Sequence, residues 1–214
     1  LMLSVMRRIT ECDRRLRTDN YRWGTVADLG RCLYGKELGI IGMGRIGKAV
    51  AKRAAAFGMK ISYYTRKRLD PIIEMELNAS YKRMDELIRT ADVISIHTPL
   101  TSETRHLIGY RELSMMKAEA YLINTSRGAV IDEQALIESL KEGKLAGAGL
   151  DVFENEPKIP LPLLEMNNVV VTPHIGVATI ENWHTMTKEA ARNIIDFFNG
   201  RQLFHVINPE VYQK

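Results

Sequence analysis

The sequence is poor in cysteine and lacks any long apolar run. Its two cysteines, Cys12 and Cys32, are too few for the disulfide framework of a small secreted domain or for a structural metal site, and they suit a reducing cytosol. No stretch approaches the roughly 20 consecutive apolar residues of a membrane-spanning helix, and residues 1–20 lack the pattern of a signal peptide. We therefore expect a cytoplasmic protein with no metal site and no membrane partner.

A strong charge of either sign is also missing. The formal net charge is +4 over 214 residues, and the basic residues are dispersed rather than clustered. This distribution gives no electrostatic reason to expect a nucleic-acid partner, although a small phosphorylated ligand is compatible with it. The apolar fraction of 45% is ordinary for a globular protein, and the length allows one large domain or two small ones.

Glycine is placed with a recognisable spacing in residues 37–66. A short apolar run precedes Gly42, Gly44 and Gly47, and helix-forming residues and a second apolar run follow them. In such a strand–turn–helix–strand unit, the first glycine makes a tight turn and the second lets a pyrophosphate approach the backbone. The third lets the helix pack closely on the strand, and free amides at the helix start bind the phosphates. The pattern predicts a dinucleotide site; a glycine-rich turn without a ligand is the alternative.

Strands alternate with helices along the rest of the chain, which predicts an α/β fold with a doubly wound parallel sheet, a Rossmann-type NAD(P)-binding domain. The predicted strands are near-continuous apolar runs, as expected when helices cover both faces of a sheet. Beyond the glycine-rich unit, strands are predicted over 79–81, 92–97, 120–124, 145–150 and 169–171. Helices are predicted over 2–18, 71–78, 84–90, 110–116, 133–141 and 178–198.

Three segments follow from this pattern. We expect a helix with a dimerisation-type arm over 1–36, a dinucleotide-binding Rossmann core over 37–177, and a long helix with a polar tail over 178–214. The arm would comprise residues 19–36, where an exposed Trp23 could anchor a partner subunit. Packing of Trp23 against its own domain is an equal alternative.

A basic turn follows the second strand of the glycine-rich unit and contains Thr65, Arg66, Lys67 and Arg68. A dinucleotide fold usually places an acidic residue here, where it binds the ribose 2′-hydroxyl, and no acid is present. A guanidinium can bind a 2′-phosphate with two hydrogen bonds, whereas an acid would repel it. We therefore predict that NADP is preferred and that NAD is possible. A solvated basic turn is the alternative.

Charged side chains follow several predicted strands, at the edge where ligands bind in such sheets. Arg127, Glu156 and His174 should converge there, near the glycine-rich turn. Arg127 could bind an anionic substrate and polarise its carbonyl, His174 could supply a proton while a cofactor supplies hydride, and Glu156 could stabilise the imidazolium. Taken singly, each has a structural explanation, as a surface ion pair, a loop cap or a turn residue. Together they predict carbonyl reduction, and His97 is assigned to the cofactor.

With these motifs in hand, the chain resembles the D-isomer-specific 2-hydroxyacid dehydrogenase family over nearly all of residues 1–208. The motifs that carry the resemblance are Gly-Met-Gly-Arg-Ile-Gly (42–47), His-Thr-Pro-Leu-Thr (97–101), Asn-Thr-Ser-Arg-Gly (124–128), Gly-Leu-Asp-Val-Phe (149–153) and Thr-Pro-His-Ile-Gly (172–176). The resemblance implies that Arg127, Glu156 and His174 are catalytic. Together with the patterns above, it gives the candidate cofactor contacts: Gly42, Gly44, Arg45, Ile46, Gly47, Thr65, Arg66, Arg68, His97, Thr98, Pro99, Thr104, Thr125, Ser126, Asp151 and Gly176.

The resemblance also implies a reaction and its partners. The string Tyr-Thr-Arg-Lys-Arg (64–68) is similar to NADPH-preferring glyoxylate and hydroxypyruvate reductases, and Glu156 argues against the formate dehydrogenases, which carry Gln there. The expected activity is hydride transfer from NAD(P)H to a small 2-oxo acid, in a homodimer. Since most of the family's substrate domain comes from a segment ahead of this region, we expect mainly a cofactor-binding domain, with 178–214 leading back to the substrate domain. The alternative is an NAD(P)-binding module without turnover, either a truncated product or a corepressor-like regulator.

Overall fold

The computed structural model describes residues 1–18, 23, 29–203, 206–208 and 210. Within them, seven strands form: β1 Glu37–Ile41, β2 Lys60–Tyr64, β3 Ala79–Tyr81, β4 Val93–Ile96, β5 Tyr121–Asn124, β6 Gly147–Leu150 and β7 Val169–Val171. The same residues contain nine α-helices: α1 Met2–Met6, α2 Ile9–Arg17, α3 Arg45–Ala56, α4 Pro71–Leu77, α5 Met84–Thr90, α6 Tyr110–Met115, α7 Glu133–Lys141, α8 Leu161–Glu165 and α9 Ile180–Phe198.

The strands form one sheet in the order β3-β2-β1-β4-β5-β6-β7, and each neighbouring pair is parallel. The chain moves from β1 to β2 and β3 on one side, then returns across β1 to β4 on the other. In doubly wound sheets, this switch point opens a crevice at the carboxyl ends of the strands, where ligands bind. The predicted fold class is confirmed.

Side chains on the two faces of the sheet enter separate apolar layers. Along β5, Leu122 belongs to one layer and Ile123 to the other, as the alternation of a strand requires. The first layer includes buried residues of α5, α6 and α7, such as Leu136, and the second includes residues of α1 and α3, such as Met6 and Ala51. Burial of a Leu or Ile side chain stabilises the fold by about 1.5–3 kcal/mol relative to exposure. The strands are therefore held rigidly, with only their ends available for a site.

Side-chain caps fix the starts of two surface helices. The Asp132 carboxylate accepts a hydrogen bond from the Ala135 amide at 3.0 Å, which confirms the predicted cap of α7. Asp70 accepts from the Ile72 amide at 2.8 Å at the start of α4. A cap of this kind contributes about 1 kcal/mol because it satisfies an amide that has no partner within the helix.

The prediction of one continuous helix over residues 2–18 was wrong. The helix is broken between α1 and α2 at Arg8, whose φ of 55° is left-handed. Met6 on α1 is buried in the sheet domain, whereas Ile9 on α2 is 52% exposed, so the two halves do not bury a common apolar stripe. The short helix α8 was not predicted, because five residues are too few to show a helical period.

The chain divides into two compact units, Leu1–His174 and Ile175–Lys214. The first contains the sheet and α1 to α8. The second contains α9, whose N-cap Thr179 accepts a hydrogen bond from the Asn182 amide at 3.1 Å.

Much of the predicted arm lies outside the described residues, namely 19–22 and 24–28. Trp23 is described and is 84% exposed. Across the described part of the chain, no helix is both long enough and apolar enough to cross a membrane.

Candidate active site

The glycine-rich turn joins β1 to α3 at the switch point of the sheet. Gly42 has a φ of +96°, and a Cβ there would lie 2.7 Å from the His97 carbonyl carbon. A Cβ on Gly47 would lie 2.3 Å from the Gly42 carbonyl oxygen. Both positions therefore require glycine for the turn itself, whether or not a ligand is bound.

Gly44, between them, has no such internal constraint. It is the N-cap of α3, and a Cβ there would meet no atom within 4 Å. It borders an open groove of about 660 Å³ that Arg45, Ile46 and His97 also line. The first amides of a helix have no partner within it, and the helix dipole favours an anion at this end. The groove therefore fits a pyrophosphate, which explains a glycine that the fold alone does not need.

The end of β4 forms another wall of this groove. Burial lowers the pKa of His97 to about 4, so its imidazole is neutral at pH 7, and Nε2 lies 2.8 Å from Ser95 Oγ. The next residue, Thr98, has a buried hydroxyl oxygen that finds no hydrogen-bond partner among the described residues. Such a group costs free energy unless a ligand or water satisfies it, which again fits a bound cofactor.

Thr104 braces the loop that follows β4. Its hydroxyl donates to the Pro99 carbonyl at 2.6 Å and accepts from the Thr101 amide at 2.8 Å. The predicted cofactor residues Pro99 and Thr104 are therefore connected to each other. Thr104 shapes the loop with its own hydroxyl, while Pro99 is exposed.

The basic turn lies beside the glycine-rich turn, because the Gly42 amide donates to the Tyr64 carbonyl at 2.9 Å. The Thr65 hydroxyl donates to the Lys67 carbonyl at 2.6 Å and so closes the basic turn on itself. Arg66 extends outward, 84% exposed, with Nη1 at 2.8 Å from Glu103 Oε2.

Arg68 in the same turn is bound much more completely than Arg66. Its Nε and Nη2 donate to the two carboxylate oxygens of Glu74, each at 2.8 Å, and the Tyr63 hydroxyl donates to the same carboxylate. The hydrogen bonds from Arg68, which have the largest effect, and the hydrogen bond from Tyr63 lower the pKa of Glu74 to about 2. The sequence did not distinguish Arg66 from Arg68. In the structure, Arg68 is bound by both carboxylate oxygens of Glu74, whereas Arg66 makes one exposed ion pair and is therefore more available to bind a ligand.

Asn124 organises the turn after β5 that presents Arg127. Its buried side-chain oxygen accepts from the Ser126 amide at 3.0 Å and hydroxyl at 2.8 Å, and its Nδ2 donates to the Arg127 carbonyl at 2.9 Å. The Arg127 guanidinium is exposed and donates to the Ser126 carbonyl at 2.6 Å. Thr125 is also exposed. Thr125, predicted to contact the cofactor, and Arg127, predicted to bind the substrate, therefore lie in the same ordered turn.

Glu156 and His174 form a pair beyond the ends of β6 and β7. Glu156 Oε2 lies 2.9 Å from His174 Nδ1, and Glu156 Oε1 accepts from the Phe153 amide at 3.0 Å. Burial disfavours the charged carboxylate, but these two hydrogen bonds and the positive charges of His174 and Arg127 outweigh burial and lower the pKa of Glu156. A cavity of about 130 Å³ adjoins the pair. Arg127, Glu156 and His174 are thus brought together, as the sequence predicted.

Asp151 holds the ends of β6 and β7 together. Its carboxylate is buried and accepts a hydrogen bond from the Thr172 hydroxyl at 2.5 Å, two residues before His174. Gly176, the last of the predicted cofactor residues, belongs to the second unit. No group of three or more His, Cys, Asp or Glu side chains in the described part of the chain could bind a metal ion.

Comparison with known protein families identifies a family whose members share these motifs. The family model described as "D-isomer specific 2-hydroxyacid dehydrogenase, NAD binding domain" matches residues 1–176. The chain belongs to the D-isomer specific 2-hydroxyacid dehydrogenases. The resemblance predicted from the strand-end motifs is confirmed, and the matched region is the part of the family that binds a nicotinamide dinucleotide.

Curated relatives within this family are similar along almost the whole chain. A glyoxylate reductase from Thermococcus litoralis is 50% identical over 216 residues, which is 99% of this chain and 65% of that protein. A glyoxylate reductase from Aeropyrum pernix is 47% identical over 220 residues, covering 99% of this chain and 64% of that protein. The chain therefore spans a little under two thirds of the length of these relatives.

Solved dehydrogenase structures share the fold. A glyoxylate reductase from Paecilomyes thermophila superposes with a TM-score of 0.86 at 40% identity, covering all of this chain and 63% of that one. D-lactate dehydrogenase from Aquifex aeolicus, complexed with NAD and lactic acid, superposes with a TM-score of 0.82 at 35% identity, covering 93% of this chain and 64% of that one.

Two residues that hold the turns of the site in place were not predicted from the sequence as site residues. Asn124 and Thr172 orient the turns that carry Arg127 and His174, but neither was a candidate. A signal for Asn124 was present, because an Asn directly after a buried strand often hydrogen-bonds to the backbone two residues further on. Thr172 belongs to the motif over 172–176, but its contact with Asp151 gave no local signal, since the two residues are 21 positions apart in sequence.

Proposed function

We propose that this chain provides the cofactor-binding and proton-donating part of a reductase that converts a small 2-oxo acid, glyoxylate or hydroxypyruvate, to the 2-hydroxy acid. The single observation that carries the proposal is the His174–Glu156 pair, 2.9 Å apart, adjoining a cavity in the unit that also contains the glycine-rich turn. The names of the curated relatives favour glyoxylate.

In this proposal, His174 is the proton donor. With Nδ1 hydrogen-bonded to the Glu156 carboxylate, the exchangeable proton of the imidazolium is on Nε2. Glu156 stabilises the charged ring and holds its orientation, and Arg127 binds the substrate carboxylate and polarises the neighbouring carbonyl. The nicotinamide, when bound, supplies the hydride.

The glycine-rich turn would hold the pyrophosphate through the amides at the start of α3. Gly44 leaves the space that this contact needs, and Arg45 and Ile46, the first residues of α3, would direct their amides toward it. The hydroxyl of Thr98, without a partner among the described residues, would gain one from the cofactor.

We further propose that NADP is preferred to NAD and that Arg66 recognises the 2′-phosphate. The Arg66–Glu103 pair is exposed, and such pairs contribute little, so a phosphate can replace Glu103 at small cost. Arg68, held by both oxygens of Glu74, instead fixes the shape of the turn. No carboxylate stands at Thr65 to repel the phosphate.

Arg66→Glu tests this assignment. NADPH binding should weaken by about 10- to 100-fold, because charged hydrogen bonds are worth roughly 1.5–3 kcal/mol, while NADH binding should change much less. Dissociation constants from fluorescence titration would measure both. Arg53→Glu is the matched control, since Arg53 lines the same groove but is not part of the basic turn, so its loss should affect both cofactors alike. Equal losses for NADPH and NADH in Arg66→Glu would contradict the phosphate assignment.

The reaction itself is tested by NADPH oxidation by the purified chain with glyoxylate or hydroxypyruvate, with NADH run in parallel. Turnover that disappears in His174→Ala would support a working site in this chain. Binding of NADPH without turnover would instead favour the alternative, a dinucleotide-binding module.

Two further proposals come from the sequence. We propose a homodimer on the family resemblance, with the segment around Trp23 in the interface, and sedimentation analysis would test it. We propose a cytoplasmic location because both cysteines of the chain, Cys12 and Cys32, are free thiols.

A further inference from the structure

A second histidine–glutamate contact lies outside the proposed catalytic set. His106 Nε2 is 2.9 Å from Glu154 Oε1, and the same oxygen accepts a hydrogen bond from Arg105 Nη2 at 2.9 Å. The Glu154 side chain is only 17% exposed, compared with 56% for Arg105. A mostly buried carboxylate therefore binds two neighbouring cationic or polar side chains from one turn.

The backbone of Glu154 is also held. Its amide donates to Glu133 Oε2 at 3.2 Å, at the start of α7. On the other side, the His106 amide donates to the Ala129 carbonyl at 2.8 Å, two residues after Arg127. Glu154 thus connects three segments that are distant in sequence.

These segments include both turns that present the proposed catalytic groups. A Cβ on Gly128 would lie 1.9 Å from the Phe153 carbonyl carbon and 2.4 Å from the Glu154 nitrogen, so the turn with Arg127 packs directly on this backbone. The Phe153 amide, in turn, donates to Glu156 Oε1 at 3.0 Å. Displacement of the backbone at Phe153 and Glu154 would therefore move both Arg127 and Glu156.

We propose that Glu154 is a positioning residue: together with Arg105 and His106, it clamps the segment after β6 at the place where Arg127 and Glu156 meet the substrate. The inference rests on the proposed function, because this placement affects a rate only if those groups act on a substrate. A misplacement of about 1 Å can lower a rate by about 100-fold.

Hydrogen exchange at the Phe153 amide measures the clamp directly, because this amide is bound to Glu156 and its residue is buried. In Glu154→Ala, we expect exchange at Phe153 to accelerate about tenfold or more, the fold-change produced by loss of a charged hydrogen bond. Glu119→Ala is the control, since it removes the exposed Arg31–Glu119 ion pair and should leave Phe153 unchanged. A wild-type exchange rate at Phe153 in a folded Glu154→Ala protein would overturn the proposal.

A second variant keeps the test decisive if Glu154→Ala does not fold. The double variant Arg105→Ala/His106→Asn removes both partners of the carboxylate, and Asn is tolerated at the φ of 51° that His106 adopts. We expect the same acceleration at Phe153, and a wild-type rate in this folded variant would overturn the proposal.

Kinetics separate this proposal from the proposed function. If the wild-type chain turns over, both variants should lower kcat tenfold or more and leave the NADPH dissociation constant unchanged, because the glycine-rich turn is not disturbed. Unchanged kcat despite faster exchange would overturn the positioning role. If the wild-type chain binds NADPH without turnover, the alternative of a dinucleotide-binding module is favoured, and hydrogen exchange at the Phe153 amide still decides whether the clamp exists.

Discussion

The two histidine–glutamate pairs are alike in geometry and different in their surroundings. Each has a nitrogen–oxygen distance of 2.9 Å, and each histidine has a left-handed backbone, with φ of 54° at His174 and 51° at His106. His174 uses Nδ1 for Glu156, and its Nε2 has no hydrogen-bond partner in the described part of the chain. His106 uses Nε2 for Glu154, which Arg105 also binds. The nitrogen–oxygen distance therefore does not distinguish the two histidines, whereas the cavity of about 130 Å³ that adjoins His174 does.

Two carboxyl groups, Glu156 in the first pair and Glu133 beside the second, have pKa values shifted in opposite directions. Hydrogen bonds and positive charges outweigh burial at Glu156 and lower its pKa. At Glu133, which binds the Glu154 amide, burial dominates and the negative charge of Glu154 adds to it, so the pKa is raised. The first pair stabilises charge at the site, and the second lies in a less well solvated part of the framework.

The largest expected effect separates the two histidines. His174→Ala should lower kcat by about 100- to 10,000-fold, the usual contribution of a general acid. His106→Asn, which keeps the left-handed backbone and leaves Arg105 on Glu154, should lower kcat by less than about tenfold. Steady-state NADPH oxidation measures both, with NADPH binding as the control for folding. Equal losses in the two variants would contradict a difference between the two histidines, because His174 would then have no special role.

The pH dependence of stability should have opposite slopes for the two carboxyl groups. Glu156 has a lowered pKa in the folded state, so its stabilisation is present above the ordinary Glu pKa of about 4.3 and is lost as pH falls through the folded value. Glu133 has a raised pKa, so its contribution is present below the ordinary value and is lost as pH rises through the folded value.

Urea unfolding between pH 3 and pH 7 would measure these slopes, taken as the difference in unfolding free energy between wild type and Glu156→Gln or Glu133→Gln. A single group changes this difference by at most about 1.4 kcal/mol per pH unit. Slopes of the same sign would show that the two environments are not electrostatically distinct.

The smallest expected effect concerns Arg105. Its side chain is 56% exposed, so Arg105→Ala should lower the free energy of unfolding by less than about 1 kcal/mol, because Glu154 keeps His106 as a partner. Thermal unfolding at low and high salt would measure the loss, which screening should reduce further. A loss of several kcal/mol would mean that the clamp is a major source of stability rather than a local positioning device.

Local patterns predicted the strands, because buried parallel strands are apolar runs bounded by turn residues. The prediction for Val169–Val171 was confirmed to the residue, and so was that for the helix Met84–Thr90. The prediction for residues 2–18 was wrong because an apolar period does not reveal a left-handed break such as that at Arg8. For the site, strand-end motifs predicted that Arg127, Glu156 and His174 come together, since parallel strands end at one edge of the sheet.

The fold class, the family and the convergence of the proposed catalytic groups could thus be predicted without the structure, because each depends on the order of residues along the chain. The different partners of Arg66 and Arg68, and the binding of His106 to Glu154, are evident only in the folded structure. Arg66 pairs with Glu103 and His106 with Glu154, partners separated by 37 and 48 residues. Contacts over such distances depend on how the strands and loops are brought together, and no local pattern in the sequence records them.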